Sequence, residues 1–194
     1  AQIIKLKRKK PIDSLTAYSK AISKLIDKYC DIILVGDSVG TALYGMKDTK
    51  KVTLAMILQH AVSVKLGSKK ALCVVDMPYK TYRNKNEAKK NAKMIIKKTK
   101  CDAVKIESNG KNFNIIKHLV KSGISVMGHI GFTPQYKNKF RPQGAGKNEE
   151  LKLIKDALDI EKSGAFAVVL ECVTSSIAKK ISLKLKIPTI GIGS

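Results

Sequence analysis

Four apolar runs in the sequence each end at a carboxylate, and this pattern is the strongest sign of chemistry in the chain. The acidic residues are Asp37, Asp76, Glu107 and Glu171. Carboxylate oxygens are the ligands that hard cations such as Mg²⁺ prefer, and a carboxylate in an apolar setting can also move a proton. The pattern predicts a carboxylate cluster that binds a divalent cation, whereas an acid taken alone is equally explained by a helix cap or a surface ion pair.

Three further polar side chains lie in or beside predicted strands. Lys105 stands two residues before Glu107, so the two point to the same side of a strand. A lysine that points into a barrel is costly unless it meets an anion, so it could bind a carboxylate or enolate oxygen; a lysine facing outward is the alternative. Ser38 could bind a substrate carboxylate, and His129 could donate to a substrate oxygen or fill a structural role.

The apolar runs alternate with helical patterns along the chain. Strands are predicted near 14–17, 31–36, 70–76, 102–107, 124–130, 165–171 and 187–192. Helices are predicted near 19–29, 52–66, 85–99, 111–122, 148–163 and 174–185. Asn84, with Glu87 three positions later, resembles a capping box. The strands are continuously apolar, which is typical of parallel strands that are covered on both faces.

This alternation predicts an α/β fold, either a TIM (β/α)₈ barrel or a doubly wound sheet. A doubly wound sheet gathers its site at one switch point, whereas here acidic strand ends recur along the whole chain, which favours the barrel. We expect one domain over residues 1–194, with residues 1–13 leading into the first strand. Because the sequence ends just after the strand at 187–192, the barrel is expected to lack its last strand and closing helices.

Composition sets limits on partners and location. The net charge is +23, but all except three of the 38 basic residues are lysine and they spread over predicted helices, which indicates a solvated surface rather than a specific nucleic-acid site. No apolar run approaches the ~18 residues of a membrane span. The four cysteines lack CxxC spacing, which predicts reduced thiols and a cytoplasmic protein.

Taken together, eight ordered segments resemble the ketopantoate hydroxymethyltransferase family. The segments are 15–18, 34–40, 52–54, 76–78, 104–107, 128–135, 170–172 and 187–193. The resemblance implies a TIM-barrel enzyme of pantothenate biosynthesis. It would transfer a hydroxymethyl group from 5,10-methylenetetrahydrofolate to 3-methyl-2-oxobutanoate and give 2-dehydropantoate. A Mg²⁺ cofactor and a homo-oligomer are also implied.

The resemblance also implies roles for individual residues. The acids at the three matching strand ends would surround Mg²⁺, and these are Asp37, Asp76 and Glu107. The keto acid would be held at the matching positions Asp37, Ser38, Asp76 and Lys105. Glu171 matches the proton acceptor of the family.

Two features depart from the family pattern, and two other functions compete with the one it implies. Ser19 stands where the family usually has an aspartate, and the stretch 136–144 is shorter than expected. One rival is another Mg²⁺-dependent keto-acid C–C or P–C lyase or mutase of the same barrel superfamily. The other rival is a non-catalytic barrel that binds polyanions through its lysines.

Overall fold

Seven parallel strands pair in the order of the sequence and form a nearly closed barrel in the computed structural model, which describes residues 2–193. The strands are β1 (Ser14–Thr16), β2 (Ile32–Val35), β3 (Leu72–Asp76), β4 (Ala103–Glu107), β5 (Val126–Gly131), β6 (Ala167–Glu171) and β7 (Thr189–Ile192). The helices are α1 (Gln2–Leu6), α2 (Lys20–Ile26), α3 (Val39–Leu43), α4 (Leu54–Gly67), α5 (Lys85–Thr99), α6 (Phe113–Lys121), α7 (Lys147–Lys162) and α8 (Ser175–Lys184), with a 3-10 turn at Thr49–Lys51.

The strand order confirms the barrel prediction. A doubly wound sheet reverses its strand order at a switch point, whereas this order runs from β1 to β7 without reversal. All seven predicted strands and all six predicted helices form, with ends shifted by a few residues. Three short elements were missed: α1, α3 and the 3-10 turn. Each has only three to five residues, too few to show a helical period in the sequence.

Side chains alternate between the barrel interior and the layer of helices outside. On β4, Val104 and Ile106 pack into the large cluster between strands and helices, whereas Ala103 joins the smaller cluster inside the barrel. Lys105 and Glu107 share the side of Ala103, because strand residues two apart face the same way. This alternation brings polar side chains into the upper part of the barrel interior, at the carboxyl ends of the strands.

Two helix starts show how local sequence fixes the elements around the barrel. Ser19, which departs from the family pattern, caps α2: its hydroxyl accepts a hydrogen bond from the Ile22 N–H at 3.4 Å. Asn84 caps α5 by accepting from the Glu87 N–H at 2.9 Å. The Glu87 carboxylate accepts from the backbone N–H and the guanidinium of Arg83, so only half of the predicted capping box forms.

The segment before β1 is tied to the far end of the chain. Lys7 Nζ donates to the Ser182 carbonyl at 2.8 Å, and Arg8 donates to the Leu183 carbonyl at 3.0 Å. These carbonyls belong to the last turn of α8, where cations are favoured by unpaired carbonyls and by the helix dipole.

Within residues 2–193, no helix is long and apolar enough to cross a membrane.

One buried carboxylate organises the loop that leads into β3. Asp27 accepts hydrogen bonds from the backbone N–H groups of Lys69, Lys70 and Ala71 and from the Ser68 hydroxyl, at 3.0–3.1 Å. Burial would raise the pKa of Asp27, but these four donors outweigh it, and the pKa lies below its ordinary value. Asp27 therefore stabilises the fold in its ionised form.

Asp27→Asn is expected to lower the free energy of unfolding by about 1–2 kcal/mol at neutral pH, because an amide oxygen replaces a charged acceptor of several bonds. The folded-state pKa of Asp27 is depressed, so its contribution is present above the unfolded value of ~3.9 and is lost as the pH falls through the folded value. Urea unfolding measured from neutral to acidic pH should show the gap between wild type and variant closing. The exposed Asp13→Asn serves as control, and a gap that is independent of pH would contradict the assignment.

Candidate active site

Three carboxylates and one ammonium meet at the carboxyl ends of β2, β3 and β4, and all are buried. Lys105 Nζ lies 2.8 Å from Asp76 Oδ1. The other oxygen of Asp76 accepts a hydrogen bond from the Asp37 N–H at 2.9 Å. Lys105 thus lies inside the barrel and meets an anion, and the outward-facing alternative is not what the structure shows. Glu107 follows Lys105 on the same side of β4.

The charges of this group do not balance. Burial, followed by the negative charge of Asp76, raises the pKa of Asp37 to about 7 even though Lys105 opposes the shift. Burial also raises the pKa of Glu107 well above its ordinary value. Burial by itself would lower the pKa of Lys105, but the surrounding carboxylates outweigh it. The pKa of Lys105 is therefore raised, and the side chain stays protonated. Three acids with one ammonium leave an excess of buried negative charge, which a cation or protons must compensate.

The donor set suits Mg²⁺, although a complete ligand cage is not preformed. Among residues 2–193, no three His, Cys, Asp or Glu side chains stand together as a ready ligand set. Mg²⁺ is usually bound by one or two carboxylates, with waters and substrate oxygens completing its octahedron. Asp37 and Asp76 suit this way of binding Mg²⁺, because the hydrogen bond from the Asp37 N–H to the Asp76 carboxylate keeps the two residues adjacent. A joint role for Asp37, Asp76 and Glu107 as metal ligands stays a prediction.

His129 connects the ammonium to a fourth carboxylate. Its Nδ1 lies 3.3 Å from Lys105 Nζ, and since an ammonium can only donate, Nδ1 accepts and Nε2 carries the ring proton. Nε2 lies 3.2 Å from Glu171 Oε2. Burial, followed by the charge of Lys105, lowers the pKa of His129, so the ring is neutral at neutral pH. A neutral imidazole with its proton on Nε2 can orient the Glu171 carboxylate.

Glu171 differs from the other acids in its access to solvent. Its side chain is 21% exposed, against 2% for Glu107 and for His129. It closes β6 and is followed by Cys172, which has a left-handed backbone conformation with φ 54°. A carboxylate that lies beside a neutral imidazole and is open to solvent can exchange a proton with a bound substrate.

Ser38 lies in the turn after β2, where it contacts a residue that sequence reasoning did not assign to the site. Its hydroxyl is 2.7 Å from the Tyr18 hydroxyl, at the end of the segment that follows β1. A Cβ at Gly36 would lie 2.7 Å from Ser38 Oγ, so a larger residue there would displace the Ser38 hydroxyl from its place in the site. Tyr18 and Ser38 place two hydroxyl groups at the edge of the carboxylate group.

Gln135 was also missed as a site residue. Its side-chain amide donates to Asp37 Oδ2 at 2.7 Å and to the Met77 carbonyl at 3.1 Å, and its oxygen accepts from the Tyr82 hydroxyl. Its backbone N–H donates to Glu107 Oε2 at 3.0 Å. The sequence carries only a weak signal for it: an amide residue just beyond a strand end, within the segment 128–135 that resembles the family.

Known proteins of similar structure have the same fold, and known proteins of similar sequence identify the family. The chain is similar in structure to 2,3-dimethylmalate lyase, described as a PEP mutase/isocitrate lyase superfamily member, with a TM-score of 0.67 and 12% identity over 95% of this chain and 66% of that chain. At that identity the likeness concerns the fold alone. The barrel and its buried acids define an enzyme of the parallel α/β-barrel class.

Proteins with similar sequences identify the family, which the structural comparison does not. A family model for ketopantoate hydroxymethyltransferase matches residues 1–194. The 3-methyl-2-oxobutanoate hydroxymethyltransferase of Pelagibacter ubique (strain HTCC1062) is 53% identical over 98% of this chain and 74% of that protein. The protein of the same name from Bartonella tribocorum is 46% identical over 100% of this chain and 73% of its own length. The chain therefore belongs to the ketopantoate hydroxymethyltransferase family and is an enzyme of the hydroxymethyltransferase class.

Proposed function

We propose that the enzyme transfers a hydroxymethyl group from 5,10-methylenetetrahydrofolate to 3-methyl-2-oxobutanoate and gives 2-dehydropantoate for pantothenate biosynthesis. The names of relatives up to 53% identical support this reaction. The observation that carries it is the excess of buried carboxylate around Lys105, next to the more exposed Glu171. Such a site can bind a divalent cation and a keto acid together.

The charge and the exposure of each residue determine its proposed role. We propose that Asp37 and Asp76, with Glu107 nearby, hold Mg²⁺, which when bound stabilises negative charge on the oxygens of the keto acid. Ser38 and the Lys105 ammonium bind those oxygens, and Lys105 favours the charge that develops as C3 loses its proton.

Glu171 is the proposed base that takes the proton from C3 of the keto acid. His129 Nε2 lies 3.2 Å from one oxygen of Glu171, and the other oxygen is the one proposed to act on the substrate. The C3 carbon then forms a C–C bond to the methylene carbon of the folate co-substrate. Both C–N bonds of that methylene carbon break, and water supplies the hydroxyl oxygen. The two folate nitrogens take up the proton from C3 and one proton from water, so that tetrahydrofolate leaves. His129 acts on the substrate indirectly in this scheme, although a direct donation to a substrate oxygen is compatible with its place.

We further propose that the enzyme is a cytoplasmic homo-oligomer with no specific nucleic-acid or membrane partner. Its outer helices support self-association, because apolar side chains on α2 and α4 are exposed, namely Ile22, Leu25, Val62 and Leu66. Exposed apolar groups on neighbouring helices are typical of protein interfaces.

The function is tested by combining the enzyme with 3-methyl-2-oxobutanoate, Mg²⁺ and methylenetetrahydrofolate and following the keto acid by NMR. We expect 2-dehydropantoate to form, and to stop forming when either the folate or the divalent cation is left out. Consumption of keto acids without any folate would instead support the lyase or mutase alternative. Tight polyanion binding that persists above ~200 mM salt, without turnover, would support the non-catalytic barrel.

A further inference from the structure

We propose that Gln135 is a positioning residue that holds the carboxylates of Asp37 and Glu107 in the orientation needed to bind the divalent cation. The inference rests on the proposed function for the presence of a cation, but its evidence is the hydrogen bonding of this one residue. Gln135 is 2% exposed, and it follows β5, whereas Asp37 follows β2 and Glu107 ends β4.

The side-chain amide of Gln135 can adopt only one orientation. Both Nε2 hydrogens are used, one by Asp37 Oδ2 and one by the Met77 carbonyl. The amide oxygen accepts from Tyr82, a buried hydroxyl that serves as its donor. A flipped amide would turn its oxygen toward two acceptors, leaving a buried carboxylate and a buried carbonyl without donors. The two acceptors therefore fix the direction in which Gln135 presents its donors, and the Tyr82 hydroxyl satisfies the amide oxygen.

The backbone of the same residue contacts the second carboxylate. The Gln135 N–H donates to Glu107 Oε2 at 3.0 Å, so one residue joins acids from β2 and β4, which are not neighbours in the sheet. Between them on β3, Asp76 is held separately by Lys105 and by the Asp37 N–H. Each of the three acids is thus fixed by a different donor, and Gln135 supplies two of those donors.

A residue that orients a metal-binding carboxylate typically changes metal affinity or activity by about 10–100-fold when it is removed. We therefore expect Gln135→Leu to weaken Mg²⁺ or Mn²⁺ binding by about 10–100-fold, since it removes both side-chain donors and keeps the backbone N–H on Glu107. Tyr82→Phe should shift the affinity in the same direction by a smaller factor, because it removes the hydrogen bond to the amide oxygen and leaves both side-chain donors of Gln135 in place. Gln59→Leu, an exposed position on α4, is the matched control and should bind as wild type.

Binding is measured by calorimetry with Mg²⁺ and by Mn²⁺ electron paramagnetic resonance, without keto acid or folate, on variants whose circular dichroism shows an intact fold. In the transfer assay, the Mg²⁺ concentration that gives half-maximal activity should rise for Gln135→Leu, while kcat at saturating Mg²⁺ recovers. A purely structural role would lower thermal stability without raising that Mg²⁺ concentration. Equal cation affinity in wild type, Gln135→Leu and Tyr82→Phe overturns this proposal alone. A wild type that binds no divalent cation overturns it together with the metal-dependent function.

Discussion

We expect Glu171→Gln to leave the barrel folded and to lower kcat by about 10²–10⁴-fold, the range that a positioned general base contributes. The amide keeps the size of the carboxylate and can still accept from His129, which lies 3.2 Å from Glu171 in the wild type. It cannot accept the proton from C3 of the keto acid. Substrate affinity should change little, because the carboxylates and the ammonium that bind the keto acid lie on other strands.

The sharpest measurement of this effect separates proton removal from carbon transfer. In D₂O without folate, the wild type with Mg²⁺ should exchange the C3 hydrogen of 3-methyl-2-oxobutanoate for deuterium, as followed by NMR. Glu171→Gln should lose that exchange together with the transfer reaction. Glu87→Gln, on α5 and paired with Arg83 outside the barrel, is the control and should retain both. Exchange at the wild-type rate in Glu171→Gln would exclude Glu171 as the base.

We expect Lys105→Met to abolish keto-acid binding and to destabilise the protein by about 3 kcal/mol, the scale seen when one partner of a buried ion pair is removed. Lys105 is the ammonium among the buried acids and lies 2.8 Å from Asp76. Without it, the cluster has no positive charge to offset Asp37, Asp76 and Glu107. The acids then either take up protons or repel one another.

The stability that Lys105→Met loses should depend on pH in a defined direction. The folded-state pKa of Asp37, about 7, lies above the unfolded value of ~3.9. Its contribution to stability is therefore fully present below ~3.9 and is lost as the pH rises toward about 7. Since Lys105 opposes this shift, Lys105→Met should lose more stability at about pH 8 than at about pH 5, measured by urea unfolding without divalent cations.

Lys10→Met provides the matched control for the buried lysine. Lys10 pairs with Asp31 at 2.8 Å, but its side chain is 51% exposed, and such surface pairs contribute about 0–1 kcal/mol. Its removal should have a small effect that is similar at both pH values. If Lys105→Met behaved like Lys10→Met, the ammonium would not be the charge that balances the buried acids.

Fold and site differed in how far they could be predicted from sequence. The continuously apolar strands and the acids at their ends led to the barrel, and the two-residue spacing of Lys105 and Glu107 placed both on one side of β4. Those inferences use local periodicity. The roles of Gln135 and Tyr82 depend on contacts 98 and 53 residues apart in sequence, for which no local pattern exists. The short helix α3 was missed for a related reason, because tertiary packing around Val39 and Gly40 rather than helical propensity determines it.

The link from Lys7 and Arg8 to the end of α8 has a consequence for biogenesis. The two ends of that contact are 175 residues apart. During translation, Lys7 and Arg8 leave the ribosome before α8 and must wait for it before they can dock. Contacts of such sequence separation slow folding and leave nascent intermediates open to aggregation. Residues at the start of the chain are therefore expected to be among the last to reach their final place.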